Sequence, residues 1–224
     1  MNRYGVTEEQ YEKMMHHLSL VIEANKITNL TRIDTIEDGQ LLHIEDSLAG
    51  LAEINDAPEG LYADLGTGGG FPGIPIAIAT GRKTTLVDTR HKKTEALDVI
   101  IEQLGLSESV RTYTGRIEFF GEEERGKYSV ISARALAKIS VLMELSQPLL
   151  KKGGRLVCYK ANIEREELDH AKALESQLGM KIVSDREFDL SDGETHRRII
   201  VLEKVGKAKI KLPRHVGFAQ KKPL

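Results

Sequence analysis

Ten consecutive residues, Asp64-Leu65-Gly66-Thr67-Gly68-Gly69-Gly70-Phe71-Pro72-Gly73, hold the strongest chemical signal in the chain. Five of the eight residues from Gly66 to Gly73 are glycine, so backbone can approach a ligand where a Cβ would collide. The apolar run Leu61-Tyr62-Ala63 precedes the loop, and Ile74 to Ala79 follows it. Strand, glycine turn and helix start form the first half of a nucleotide-binding crossover. Pro72 and Pro75 suit the first turn of a helix, whose unpaired N–H groups and positive dipole end favour an anionic or polar ligand.

Phe71 stands where the third glycine of a dinucleotide fingerprint belongs, which argues against a nicotinamide-dependent oxidoreductase. An acidic residue, Asp64, just ahead of GxGxG instead fits the loop of S-adenosylmethionine (SAM) enzymes, with Gly66, Gly68 and Phe71 at the cofactor. In doubly wound sheets, ligands bind beyond the carboxyl ends of the strands, where strand order reverses. That rule selects further residues. Asp88 closes the next apolar run, 22 positions after Gly66, where a carboxylate accepts hydrogen bonds from ribose hydroxyls. Ile117 and Glu118 lie just past the third expected strand, beside the adenine. Arg134 ends the fourth strand at the reacting end of the cofactor; an arginine leaving a buried strand needs an anion or carbonyl partner. Lys160 ends the fifth strand next to it. Arg134 and Lys160 are the expected catalytic-end pair, as partners of phosphate or backbone rather than as proton carriers. His43 and Asp46, three apart, are expected to form a structural pair.

These positions require an α/β fold. Strands are expected at Leu61–Leu65, Thr84–Val87, Val110–Tyr113, Tyr128–Ser132, Arg155–Tyr159, from Lys181–Val183 onward, and at Arg197–Leu202. Helices are expected at Gly73–Thr80, around Ala96–Leu104 with Gly105 as its cap, at Ile139–Leu150 and at Ile163–Leu178. Strands separated by helices give a mostly parallel, Rossmann-like sheet of seven strands. The last two have no helix between them and should pair antiparallel through Ser191-Asp192-Gly193. Ahead of the sheet, Thr7 to Gln10 reads as a capping box, and Tyr11, Met14, Met15, Leu18, Val21 and Ile22 share one helical face. Asn29-Leu30-Thr31 reads as a turn, and a second helical stretch runs from Ile36 to Ile54. The expected organisation is a helical extension, residues 1–55, packed on a sheet unit, residues 56–224. One apolar face is too little for a separate core.

With 224 residues, 40% hydrophobic and 29% charged, the composition is that of an ordinary globular chain. One cysteine, Cys158, excludes an internal disulfide and a cysteine-based zinc site, and no metal is expected. No apolar run reaches the ~20 residues of a membrane span, and the N-terminus lacks a signal-peptide pattern. The expected protein is a cytoplasmic monomer. A net charge of −2 hides a basic end: Lys204 to Leu224 holds seven Lys or Arg and no Asp or Glu. Lys207, Lys209 and Lys211 alternate as on one face of a strand, with Arg214 beyond a turn. Such a cluster is a phosphate-binding footprint, so RNA contacts are expected there.

Several segments together carry a family resemblance: Asn29-Leu30-Thr31, His43 to Leu48, Asp64 to Pro75, Ser132-Ala133-Arg134-Ala135, Gly153-Gly154 with Tyr159-Lys160, and Leu212-Pro213-Arg214-His215 with Lys222-Pro223-Leu224. The chain resembles the ribosomal RNA small subunit methyltransferase G family, also called glucose-inhibited division protein B. The resemblance implies a class I SAM-dependent methyltransferase acting on N7 of a guanine in the 530 loop of 16S rRNA, in rRNA or a small ribosomal subunit precursor. It carries cofactor contacts onto Gly66, Phe71, Ile117, Glu118 and Arg134. The rival expectations are a methyltransferase of another RNA or a small molecule, and a non-catalytic RNA-binding module.

Overall fold

The computed structural model describes residues 2–224. After a short turn at Asn2–Tyr4, helix α1 (Glu8–Thr28) opens on the expected capping box, in which the Thr7 hydroxyl accepts from Gln10 N and the Gln10 side-chain oxygen accepts from Thr7 N. Asn29, with φ 40°, ends it in the left-handed conformation. The stretch expected as one helix from Ile36 to Ile54 is broken. It runs as α2 (Ile36–Gly39), a π-helical turn (Gln40–Glu45), α3 (Asp46–Leu48) and α4 (Leu51–Asn55). Between α3 and α4, Gly50 packs against Tyr159: a Cβ there would sit 2.3 Å from the Tyr159 hydroxyl, so this backbone approaches Tyr159 so closely only as glycine.

The sheet region follows as β1 (Leu61–Leu65), α5 (Gly73–Thr80), β2 (Thr84–Asp88), α6 (His91–Gln103), β3 (Val110–Thr114), α7 (Ile117–Glu123), β4 (Tyr128–Arg134), α8 (Ile139–Ser146), β5 (Leu150–Lys160), α9 (Arg165–Leu178), β6 (Met180–Asp189), β7 (His196–Lys204) and α10 (Phe218–Lys221). The seven strands lie in the order β3-β2-β1-β4-β5-β7-β6. β7 runs antiparallel to both neighbours, and the other pairings are parallel. Strand order therefore reverses between β1 and β4, with Leu65 opposite Ala133 at their ends.

Side chains alternate across the sheet with the period of two that a strand imposes. Tyr62, Leu86, Val130, Val157, Tyr159 and Val201 face one core, shared with α1, α5 and α6. Ala63, Leu65, Val87, Ile131, Ala133 and Cys158 face the other, shared with α7, α8, α9 and the C-terminal segment. Met14, Leu18 and Val21 of α1 belong to the first core, fully buried with Ile74 and Ile76 of α5.

Four local expectations are corrected. Helix α8 stops at Ser146, ahead of Pro148, rather than at Leu150. β5 starts at Leu150, because a register shift between Tyr128 and Val130 absorbs extra residues around Gly153-Gly154. A helix that was not expected, α7, follows β3. The tail forms no strand beyond Lys204: Lys209 N donates instead to Gln177 O of α9, at 2.8 Å. Its alternation survives without a sheet partner, since Lys207, Lys209 and Lys211 are exposed while Ala208 and Ile210 pack on the core.

Candidate active site

The glycine loop leaves β1 and is held from below by Asp64. This carboxylate is 0% exposed. Its Oδ2 accepts from the Thr67 hydroxyl at 2.7 Å and from Gly73 N at 3.1 Å, and its Oδ1 accepts from the Ser132 hydroxyl at 2.6 Å. Burial pushes the Asp64 carboxyl up to about 6, against the downward pull of these bonds. Gly73 fits only as glycine, because a Cβ would lie 2.3 Å from Leu86 Cδ2 and 3.0 Å from Asp64 Cβ. Asp64 therefore shapes the loop and does not face a ligand.

From above, the helical extension grips the same loop. His17 is completely buried, and burial lowers it to about 3. Its ring is thus neutral, and Nε2–H donates to Gly69 O at 3.0 Å. The Phe71 ring lies between two imidazoles, His17 at 4.3 Å and His43 at 4.2 Å, the latter stacked within 3° of parallel. Burial, with Arg134 beside it, lowers His43 to about 3. Arg134 Nη2 donates to His43 Nδ1 at 3.2 Å, so Nε2 carries the proton and donates to Thr31 Oγ1 at 2.8 Å.

Arg134 finds the partners its position demanded. Nη1 donates to Leu42 O at 3.1 Å and to Asp46 Oδ2 at 2.9 Å, and the guanidinium lies 6.0 Å from the Phe71 centroid. The second Asp46 oxygen accepts from Arg197 Nε at 2.9 Å. His43 and Asp46 do share a structural role, but through Arg134 rather than as a pair. Lys160 Nζ donates to Ala137 O and to Glu167 Oε1, both at 2.8 Å, while Ile139 N donates to the same Glu167 oxygen. Lys160 thereby holds the 135–138 segment, which leaves β4 through a left-handed Ala135 (φ 52°). Leu136 of that segment packs onto Gly66, 2.8 Å from where a Cβ would be.

Beyond the ends of β4 and β5 lies a cleft of about 460 Å³, lined by Arg134, Leu136, Tyr159, Lys160, Ala161 and Arg197. The strand-end rule brought Arg134 and Lys160 into one cleft. It missed Arg197, although the signal was present: an antiparallel last strand must begin at the carboxyl edge of its parallel neighbours, and Arg197 is its second residue.

On the other side of the loop, Asp88 ends β2. Its Oδ2 accepts from Gly68 N at 3.2 Å, and its Oδ1 accepts from Arg90 N at 2.9 Å. Helix α6 takes Arg90, not Asp88, as its N-cap residue. Ile117 and Glu118 open α7 and are buried. The Glu118 carboxylate is engaged from the tail, accepting from Gly217 N at 2.6 Å. Arg214 is not a free cation: its guanidinium forks onto buried Glu144, with bonds of 2.7 and 2.6 Å. Among the described residues, no group of three or more His, Cys, Asp or Glu could hold a metal, and no helix is long and apolar enough to cross a membrane.

A family model described as rRNA small subunit methyltransferase G (GidB) matches residues 10–200. The chain belongs to this family. Proteins of that name from Alkaliphilus metalliredigens and Lactobacillus helveticus are each 34% identical to it, over 99% and 100% of this chain and 93% and 95% of theirs. Its fold is that of the class I SAM-dependent methyltransferases. Cofactor-bound Rv0187 from MTB superposes with a TM-score of 0.61 at 15% identity, covering 85% of this chain and 90% of that one. A geranyl diphosphate methyltransferase in complex with SAM superposes at 0.55 and 14% identity, covering 71% and 84%. The family cofactor is SAM, and the residues present fit it. Gly68, at φ 58°, has open space where a Cβ would project, meeting only Leu30 O at 3.6 Å, with the Asp88 carboxylate alongside.

Proposed function

We propose that the protein methylates N7 of a guanine in the 530 loop of 16S rRNA. Family membership supports the rRNA substrate; the observation within the site is the cleft bounded by Arg134, Lys160 and Arg197 beside the glycine loop. Bound SAM supplies an electrophilic methyl group. Guanine N7 offers a lone pair and no proton, so the chain needs no general base; its task is alignment, which supplies several kcal/mol. In this reading Gly66, Gly68 and Phe71 hold the cofactor, Ile117 and Glu118 flank its adenine, and Asp88 takes the ribose. Arg134 and Lys160 fix the rim, and their bonds to Asp46 and Glu167 temper the field against a base that becomes cationic. The rRNA itself is the partner, free or in a small ribosomal subunit precursor, in the cytoplasm. Residues 1–55 act with 56–224 as one unit, since His17 grips the glycine loop. The test is mass mapping of 16S rRNA from cells with and without the gene: one missing methyl on a 530-loop guanine supports the reading, and an unchanged map ends it.

Asp88→Ala is expected to weaken SAM binding about tenfold or more, because the ribose loses a charged acceptor, a bond of about 1.5–3 kcal/mol. Calorimetry giving the wild-type affinity would refute the assignment.

The exposed Lys207, Lys209 and Lys211 supply phosphate contacts, whereas Arg214 contributes chiefly by bracing the tail on Glu144. Replacing the three lysines by alanine should lower the salt dependence of RNA binding by at most about one slope unit per lost contact, with SAM affinity unmoved. An identical slope would make them a solvated surface only.

A further inference from the structure

A second groove, of about 430 Å³, lies between α7 and the C-terminal segment, lined by Glu118, Phe119, Glu122, Lys211, His215, Val216 and Phe218. Two of its apolar side chains are left to solvent, Phe119 at 49% and Val216 at 44% exposure. Phe119, in the first turn of α7, leaves half of its side chain in water. Phe218 carries its own polar flank: Lys222 Nζ lies 5.0 Å from its centroid, and the His215 ring meets it edge-on at 5.3 Å. Hydrogen bonds to the sheet unit hold the segment in place. Gly217 N donates to Glu118, Arg214 forks onto Glu144, and Arg125 Nη2 donates to Leu212 O at 2.6 Å. α7 begins just past the end of β3, so the groove opens at the same edge of the sheet as the glycine loop.

We propose that this groove binds an unstacked nucleotide of the RNA substrate, its base against Phe119 and Phe218 and its phosphate toward Lys211 and Lys222. The inference rests on the rRNA methyltransferase reading and adds a second anchoring point to it. Aromatic faces beside cations are the composition that holds single-stranded nucleic acid, since every base presents a π-face and every linkage a negative charge. Charge complementarity favours RNA over a protein partner: from Lys204 to Leu224 the chain has seven cations and no carboxylate side chain. Glu118 is occupied by Gly217 N, and exposed Glu122 would repel a phosphate. The backbone of the bound strand therefore passes on the lysine side. A duplex has no free base face to offer and is excluded.

The experiment uses the full chain and a single-stranded RNA decamer carrying one 2-aminopurine. Wild type should quench the probe, and Phe119→Ala should weaken decamer binding about tenfold and abolish the quench, as loss of one stacking contact requires. Phe119→Tyr, which keeps the ring, should bind within about twofold of wild type. SAM affinity should be unchanged in both, and half-exposed Phe119 leaves the fold intact when truncated. Wild-type binding and quenching by Phe119→Ala, or equal quenching by the annealed duplex, overturns the proposal. So does a variant that loses affinity for the small ribosomal subunit but not for the decamer, which would assign the groove to a protein. Failure of wild type to methylate 16S rRNA sinks the functional reading instead, and the decamer result separates the two.

Discussion

Asp64→Ala is expected to abolish measurable SAM binding and to destabilise the fold by at least about 2 kcal/mol. Three donors end on this one carboxylate, the Thr67 hydroxyl, the Ser132 hydroxyl and Gly73 N. Removing it strands the Thr67 hydroxyl and Gly73 N in a buried site, while the Ser132 hydroxyl keeps the Tyr62 hydroxyl at 2.6 Å, and each stranded donor costs about 1–3 kcal/mol. The Thr67 and Gly73 bonds tie the two ends of the glycine loop to the same oxygen, so the loop loses its shape as well as its energy. Chemical denaturation and calorimetry on the same sample read both effects. Wild-type SAM affinity in a destabilised variant would show that the loop holds its form without Asp64.

The same group has a pH signature. Its folded pKa, about 6, stands above the usual carboxylate value because burial penalises the charge. A raised carboxylate gives a stabilising contribution that is complete below the unfolded pKa and disappears as pH rises through about 6. Its size is on the order of 3 kcal/mol, since each tenfold change in proton affinity between the unfolded and folded chain is worth roughly 1.4 kcal/mol. Asp64→Asn cannot titrate. The stability of wild type relative to Asp64→Asn should therefore rise as pH falls from 7 toward 4, with other titrating groups cancelling in the difference. A flat difference would mean that Asp64 titrates alike in both states.

What the sequence revealed about this site follows chain distance. The glycine loop was legible because its strand, turn and helix are contiguous, and the antiparallel end of the sheet because β6 and β7 have only a turn between them. His17 carried a readable signal that the apolar pattern masked. It lies on the same helical face as Met14, Leu18 and Val21, so a buried polar group there had to have a partner, and Gly69 O is that partner. The Arg134–Asp46–Arg197 network was not legible, because its members come from three distant segments and only the fold brings them together. Nor was the close approach of Gly50 to a tyrosine on another element. The tail misled in a specific way. Alternation of lysine with apolar residues does report one face in and one face out, but the inner face docks on the helix-covered core rather than beside a strand, so no ladder forms.

Arg134 is where stability and chemistry are hardest to separate, and a pair of variants separates them. Arg134→Ala removes donors from Leu42 O, Asp46 and His43 at a site whose side chain is 15% exposed. Hydrogen bonds from a charged donor contribute about 1.5–3 kcal/mol, and Asp46 keeps Arg197, so the expected cost is about 2–4 kcal/mol. Arg134→Lys retains a cation for Asp46 but cannot fork onto His43 and Leu42 as well. His43 then loses the bond that orients its ring against Phe71, and Phe71 is the loop residue proposed to touch the cofactor. Stability should fall by only about 1–2 kcal/mol in the lysine variant, while single-turnover methyl transfer to 16S rRNA falls at least tenfold in both. Under saturating SAM the transfer rate should remain low, because the defect lies in alignment rather than occupancy. If the folded fraction of Arg134→Ala transfers methyl groups at the wild-type rate, Arg134 is a brace between the helical extension and β4 and nothing more.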